Sequence, residues 1–329
     1  MRVYEFARQH GKTSKEIITF CHELGIEVKA AQSVLKEEAL VLLNNNFGNG
    51  KDTQVQVEQA VKPKAKSKAK PKAKKEKNET IDVTEKEKEK DKDKTLYVVT
   101  ECAPFTTLGQ LGDTALQFTK DHDNVVVVLP KYACIDEGFT SKMERVQSAT
   151  IKVGWREQGA DLFKLVQDSV TFYFVGNEYY FNREEIYGYG DDVERFAFFN
   201  RAVLELLPVV ESSINHIQVN DWHTSLVPLL INVDYSNHDF YTNAQTTLNI
   251  HDLQYQGWFD AKVLTDVVGI SHAYYENGLT RMGDRVNLLK SGIMTASNVT
   301  INEASRAQMN LPDMIESGMT ALLTSKVSA

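Results

Sequence analysis

The sequence predicts an α/β protein: a single domain with a mostly parallel sheet, preceded by a small helical module and a disordered, lysine-rich linker. From residue 95 onward, short β-branched apolar runs alternate with helical stretches, which is typical of a parallel sheet covered on both faces. Residues 1–48 carry apolar side chains at helical spacing. Between these parts, residues 62–75 hold eight lysines, two prolines and no large apolar residue, a composition that cannot form a packed core.

The first element is a helix that begins after Ser14, where Thr13 or Ser14 can cap its start and Gly25 its end. Its apolar stripe consists of Ile17, Ile18, Cys21, Leu24 and Ile26. A second helical run extends over residues 33–43. The segment VYEFARQHGKTSKEIITFCHELGIEVKAAQSVLKEEA resembles the small module at the amino terminus of bacterial translation initiation factor two. That module has no catalytic residues, so a docking role and a plain helical cap both stay open.

The linker is predicted over residues 49–94. Its lysine-rich first half is followed by the acid–base alternation EKEKEKDKDK, and residues 51–94 carry fifteen lysines against ten acidic residues. The alternative is a basic arm, centred on residues 62–75, that binds RNA or anionic lipid. Residues 95–329 carry sixteen basic and twenty-nine acidic side chains, a net charge of −13, which argues against their binding a phosphate backbone.

The compartment is predicted from three absences in the 329 residues. The longest unbroken apolar stretch covers residues 125–130, far short of the ~20 residues of a membrane helix. The amino terminus lacks the apolar core of a signal peptide. The three cysteines have no CxxC spacing, which argues against a disulfide framework or a zinc site. We therefore expect a cytoplasmic protein without a membrane contact.

Polar residues collect after the predicted strands of the α/β domain. The strands are predicted at residues 96–100, 124–129, 171–175, 216–220 and 246–251, with a helix at 111–120. Glu101 and the loop through Asp113 follow the first strand, Asp221 and His223 follow the fourth, and His251 and Asp252 the fifth. Ligands of such sheets bind at the carboxyl ends of the strands, so these groups form the predicted site.

Each cluster by itself also has a structural interpretation. Asp221-Trp222-His223 fits a helix cap followed by a packed aromatic, and His251 fits a hydrogen-bonded core histidine. The segment YGYGDD, residues 187–192, fits a turn rich in glycine and aspartate. The loop TTLGQLGD, residues 106–113, is a weak phosphate-loop signal because its glycines stand only at 109 and 112.

Together and in order, these clusters are far more specific. The segments VVTECAPFTTLGQLGD, VLPKY, YYFNREEIYGYGDDVERFAFFNRAVLELL, VNDWHTSLVPLLI, NIHDLQYQGWF and NLLKSGIMTAS resemble bacterial glycogen synthase and plant starch synthase, the family five glycosyltransferases. The resemblance covers nearly all of 95–329. It implies the N-terminal half of a GT-B fold, built of two Rossmann-like domains, with the second absent from these residues. It further implies retaining transfer of glucose from ADP-glucose to an α-1,4-glucan, with no essential metal and no other cofactor.

The resemblance carries over to the first loop only in part. The family's lysine, which lies near the sugar-nucleotide phosphate, is replaced by Thr107, and the second of its paired glycines by Gln110. Gly109 and Asp113 remain as substrate-binding candidates. Loss of a cation beside a pyrophosphate leaving group commonly costs ~10²-fold in rate. A side chain at the second glycine also obstructs close approach of the backbone to a ligand.

The later motifs match better. The family's cleft aspartate and histidine correspond to Asp221 and His223, and its donor-glucose histidine to His251, followed by Asp252 where the family has asparagine. Tyr187 and Tyr255 are the aromatic candidates for binding sugar. With them, Tyr189, Trp222 and Trp258 lie on segments that line the acceptor side in the family, and core packing is the alternative for both tryptophans. His251 and Asp221 match catalytic positions of the family, but no residue of this sequence is predicted to be catalytic.

Three functions stay open. The first is a non-catalytic synthase-like protein that binds or regulates, with a glucan-binding cleft wall and an apolar cleft face that a protein partner or a second copy covers. The second is an active synthase fragment completed by another chain. The third is a ribosome- or nucleic-acid-associated adaptor acting through residues 1–94.

Overall fold

The computed structural model describes residues 93–327 and, before them, Ser14–Glu23 and the single positions 3, 6, 7, 12, 26, 28, 33, 35, 39 and 43. The described residues up to position 35 and those from 93 to 327 belong to one compact unit. The predicted linker lies outside the described residues, as does most of the second helical run. The boundaries at 48/49 and 94/95 therefore stay predictions.

The first predicted helix is present as α1 (Ser14–Glu23). Ile17 and Cys21, one turn apart, are fully buried, and Ile18 is partly buried. This is the apolar stripe that the spacing predicts, since residues four apart lie on the same helix face.

One eight-stranded sheet organises the remainder of the described chain. Its strands are β1 (Thr95–Val98), β2 (Val125–Pro130), β3 (Glu144–Val153), β4 (Arg156–Gln167), β5 (Val170–Gly176), β6 (His216–Asn220), β7 (Gln245–Ile250) and β11 (Asn298–Ile301). Their order across the sheet is β11-β7-β6-β1-β2-β5-β4-β3. A small antiparallel sheet contains β8 (Trp258–Phe259), β9 (Arg281–Met282) and β10 (Arg285–Asn287).

The predicted α/β class with its Rossmann-like, mostly parallel sheet is confirmed. β1 pairs in parallel with β2 and β6, which places Thr95 between Val125 and His216, and β6 pairs in parallel with β7. All six residues of β2 are buried, as expected for a central strand covered on both faces. The carboxyl ends of β1, β6 and β7 consequently meet at one edge of the sheet.

The prediction omitted β3 and β4, the two longest strands. They form an antiparallel hairpin that extends the sheet beyond β5. Their two-residue turn contains Gly154 with φ of +59°, where an added Cβ would clash with the carbonyl oxygen of Asp266. Many side chains of this hairpin are exposed or half-buried, so it lacks the continuous apolar run that marks the central strands.

The helices cover both faces of the sheet. They are α2 (Gln110–Asp121), α3 (Glu137–Thr140), α4 (Glu178–Phe181), α5 (Asp192–Val210), α6 (Asp221–Thr224), α7 (Leu226–Val233), α8 (Ala273–Glu276), α9 (Leu288–Thr295), α10 (Glu303–Gln308), α11 (Pro312–Glu316) and α12 (Met319–Lys326), with a π-helical turn at Leu264–Val268. The central helix α5 buries most of its nineteen residues, including Phe196, Phe198 and Phe199. In the part of the chain that is described, no helix has the length and apolar character needed to cross a bilayer.

Candidate functional site

A cavity of about 510 Å³ lies at the edge of the sheet where β1, β6 and β7 end. It is lined by Ser33, Glu101, Leu108, Gly109, Gln110, Leu111, Thr114, Tyr187, Asp192, Asp221, Trp222, His223, His251, Asp252, Tyr255 and Asn302. The polar groups that follow the three predicted strands therefore meet in one place, as the parallel arrangement requires.

Glu101 connects β1 to the loop that precedes α2. One carboxylate oxygen, Oε2, accepts the backbone N–H groups of Leu108 (2.7 Å) and Gly109 (3.1 Å), while Oε1 accepts the hydroxyl of Tyr187 (2.9 Å). Burial raises the pKa of Glu101, and these three hydrogen bonds oppose the increase. The N–H of Gly109, which the sequence offered as a phosphate contact, is therefore engaged by a carboxylate of this chain.

Asp221 joins β6 to α6 with a left-handed backbone, φ being +55°. Few residues other than glycine adopt this conformation, although aspartate tolerates it better than most. Its Oδ1 accepts the N–H of His251 at 2.7 Å and that of Asp252 at 3.2 Å. Asp221 thus holds the chain where it leaves β7, and the backbone strain falls at a point where two strand ends are joined.

His251 is half-buried at the end of β7. Its ring Nε2 lies 2.9 Å from Oδ1 of Asn220, the last residue of β6. Its carbonyl oxygen accepts the side-chain N–H of Asn302 at 3.2 Å. The backbone and the ring of His251 are both fixed by neighbouring elements, so its position in the cavity is well defined.

Arg195 on α5 holds the segment at residues 187–192 in place through hydrogen bonds at both of its ends. Arg195 is fully buried; its guanidinium lies 2.6 Å from Oδ1 of Asp192 and donates to the carbonyl oxygens of Tyr180 and Ile186. Asp192 also accepts the N–H of Gly188 at 2.7 Å. Burial raises the pKa of Asp192, and Arg195 opposes that rise. The glycine-rich turn is therefore held rigidly enough to form a cavity wall.

The Asp-Trp-His segment lines the cavity and also packs in the core, but Asp221 is not the predicted helix cap, because Asn220 occupies the N-cap position of α6. His223 lines the cavity, and its ring lies 4.2 Å from that of Trp222, 4.7 Å from Tyr187 and 4.8 Å from Phe196. Trp222 lines the cavity too, yet only 8% of its surface is exposed. It packs as a core residue and offers the cavity a small part of its surface.

The remaining candidates divide into two groups. Gln110, Asp252 and Tyr255 line the cavity. Asp113 and Thr107 are exposed and do not line it, and neither do Tyr189 and Trp258.

The charge of the cavity is its most informative property. Its lining contains the four carboxylates of Glu101, Asp192, Asp221 and Asp252, and among the described residues that form it there is no lysine or arginine. The sequence predicted an apolar face. This wall combines the carboxylates with apolar surface from Leu108, Leu111 and Tyr255, and the covering of a cleft face by a partner or a second copy stays a prediction.

The prediction did not include Asn220, Arg195 and Asn302, three polar residues of the site. Asn220 contacts the ring of His251, Arg195 anchors Asp192, and Asn302 both caps α10 and lines the cavity. Asn220 adjoins Asp221 in the sequence, which was a signal for it. Nothing in the sequence indicated a role for Arg195, since a single arginine in a helical run is normally exposed.

The fold and the cavity define an α/β domain with a polar cavity at the carboxyl edge of its parallel sheet. Residues 94–325 match the family model of the starch synthase catalytic domain. The chain belongs to this family, and the resemblance seen in its sequence is confirmed. Residues 1–49 match the model of the N-terminal region of translation initiation factor IF-2.

Curated relatives agree with this assignment. Glycogen synthase of Bacillus subtilis (strain 168) is 39% identical over 209 residues, which cover 62% of this chain and 43% of the relative. Glycogen synthase of Alkaliphilus metalliredigens (strain QYMF) is 37% identical over 235 residues, covering 70% and 50%. The chain therefore spans about half or less of the length of these relatives.

A solved structure shows the shared fold. The catalytic domain of starch synthase IV from Arabidopsis thaliana, bound to ADP and acarbose, superposes with a TM-score of 0.62 at 23% identity. The match covers 70% of this chain and 49% of that chain.

Proposed function

We propose that the α/β domain binds an α-glucan chain along its cavity and that the 329-residue polypeptide does not transfer glucose by itself. The observation that carries the proposal is the acidic cavity wall with its altered loop. A glucan is neutral and rich in hydroxyl donors, and carboxylates and a neutral imidazole accept hydrogen bonds from hydroxyl groups. The half-buried ring of Tyr255 and the edge of Trp222 supply apolar surface for a sugar ring.

A sugar nucleotide fits the same wall poorly. Its diphosphate is anionic, and two like charges about 6 Å apart repel by about 3 kcal/mol at an effective dielectric constant of 20. The family's loop lysine is Thr107 here, and that side chain does not line the cavity. The N–H groups of Leu108 and Gly109 are already accepted by Glu101. The described lining of the cavity therefore offers a diphosphate no lysine or arginine, and two of its loop N–H groups already donate to Glu101.

His251→Ala is expected to weaken binding of maltoheptaose to the purified chain by about 5- to 10-fold, the equivalent of one hydrogen bond of about 1 kcal/mol. Isothermal titration calorimetry measures this, and ADP-glucose should give no binding heat under the same conditions. His272→Ala is the matched control, because His272 is exposed at the residue before α8 and does not line the cavity. Equal affinities of the wild type and His251→Ala would exclude this wall as the glucan site.

The non-catalytic part of the proposal has its own test. With radiolabelled ADP-glucose or UDP-glucose and glycogen, we expect no incorporation by the purified chain, and incorporation above a heat-treated sample would overturn it.

A second candidate function is an active synthase site completed by another chain. It is favoured by the contacts that hold His251 and Asp221 in place, since a purely vestigial site has no need of them. Addition of a separately expressed second half of a glycogen synthase relative tests this candidate. Incorporation that appears only in the mixture and disappears with His251→Ala would support it.

A further inference from the structure

The side chain of Asn220 has an orientation that its contacts determine uniquely. Its Nδ2 donates to the carbonyl oxygen of Val98 at 2.9 Å. A carbonyl oxygen only accepts, so the nitrogen must face it and Oδ1 must face the opposite way. Asn220 is fully buried, which leaves no solvent to satisfy a flipped amide.

The oxygen of this amide is surrounded by donors from two neighbouring strands. Tyr97 on β1 donates its hydroxyl to Oδ1 at 3.0 Å, and Nε2 of His251 lies 2.9 Å away at the end of β7. The amide of Asn249 approaches more distantly, at 3.5 Å. Since Oδ1 can only accept, Nε2 of His251 must carry a hydrogen, because an unprotonated Nε2 would place two lone pairs against each other.

We propose that Asn220 is a positioning residue that fixes His251 as the Nε2–H tautomer and leaves Nδ1 as the ring acceptor for a ligand hydroxyl. Within the described residues no hydrogen bond to Nδ1 is present. The backbone N–H of His251 is held by Asp221, so consecutive residues at the end of β6 fix both the main chain and the ring of His251. The role in ligand binding rests on the proposed function, whereas the tautomer does not.

The tautomer is measured on the free protein. Long-range ¹H–¹⁵N correlation at pH 8, with His251 assigned by its loss in His251→Ala, should show a protonated Nε2 and an unprotonated Nδ1. A protonated Nδ1 in the wild type would overturn the proposal without any variant of Asn220. This result is independent of whether maltoheptaose binds.

The effect on binding is measured by a double-mutant cycle with maltoheptaose. Asn220→Ala should weaken binding by about 5- to 10-fold in the wild type and by less than about 2-fold in the His251→Ala background, because Asn220 acts through the ring. Asn220→Asp is the matched variant. It places an acceptor instead of a donor against the carbonyl oxygen of Val98, which costs stability, but it keeps an acceptor for Nε2, and its affinity should stay within about 2-fold of the wild type.

Tyr97→Phe controls for loss of a different donor to the same oxygen and should retain the Nε2–H pattern. Additive losses for Asn220→Ala and His251→Ala would overturn the positioning role. So would equal losses for Asn220→Ala and Asn220→Asp in proteins that remain folded by thermal denaturation. If the wild type binds no maltoheptaose, the proposed function fails, and the NMR measurement still decides the tautomer.

Discussion

Arg195→Met is expected to lower the free energy of unfolding of the α/β domain by about 3–5 kcal/mol, the usual cost of removing one partner from a buried ion pair. Methionine nearly fills the space of the arginine stem but cannot donate. The carboxylate of Asp192 would lose its 2.6 Å partner, and the carbonyl oxygens of Tyr180 and Ile186 would lose their donor. Because burial already raises the pKa of Asp192 against the influence of Arg195, the unpaired group would tend to take up a proton.

Urea denaturation followed by tryptophan fluorescence measures this loss, since all three tryptophans lie within residues 93–327. Arg183→Met is the control. Arg183 forms a bidentate ion pair with Asp191, in which the Nη1–Oδ1 and Nη2–Oδ2 distances are both 2.7 Å. The pair is only partly buried, because the side chains of Arg183 and Asp191 are 17% and 29% exposed. Partly exposed pairs contribute about 1 kcal/mol or less. Comparable losses for the two variants would show that Arg195 does not anchor the cavity wall.

Glu101→Ala is expected to cost about 3 kcal/mol or more, because the N–H groups of Leu108 and Gly109 and the hydroxyl of Tyr187 would lose their shared acceptor in a buried place. Glu101→Gln should cost much less. Its amide oxygen can accept both N–H groups, and its NH₂ can donate to Tyr187, whose hydroxyl has Thr100 as an alternative partner at 2.5 Å. Urea denaturation of both variants is the measurement. Equal losses would show that the hydrogen bonds of the loop do not depend on the acceptor at residue 101.

The wild type and Glu101→Gln are also expected to differ in how their stability depends on pH. Since burial raises the pKa of Glu101 above its ordinary 4.5, the folded state binds its proton more tightly than the unfolded state does. Stability attributable to this group is therefore complete below pH about 4.5 and falls as the pH rises through the folded-state pKa. Relative to the wild type, Glu101→Gln should gain stability across this range and level off above it. A difference that does not change with pH would contradict the direction of the shift.

The main architecture was predictable because the central strands are buried on both faces. Strands such as β2 need apolar side chains at every position, and this continuous signal is visible without any partner. The hairpin of β3 and β4 lies at the sheet edge, where exposed positions interrupt the pattern and only pairing with β5 specifies the strands. Five of the six residues of β2 were therefore found, and the twelve of β4 were missed.

The sequence predicted which residues form the site better than it predicted how their side chains are arranged. Asp221, His223 and His251 were found because they follow strands that end at the same edge. Asp113 was also expected at the site, but it lies on an exposed face of α2, since a helix turns its side chains by about 100° per residue. The acidic character of the cavity was missed, because it depends on which side chains of separate loops converge.

The positions of the central strands, the family motifs and the identity of the strand-end residues are properties of the chain that neighbouring residues alone encode. The tautomer of His251, the engagement of the Gly109 amide by Glu101 and the burial of Arg195 were decided by the tertiary structure. The contact that sets the tautomer joins Asn220 to His251, 31 residues apart. The other two join residues only 3 to 15 positions apart, but they form in places that packing of the whole domain buries. Such bonds have consequences only where folding removes the water that would otherwise satisfy the same groups.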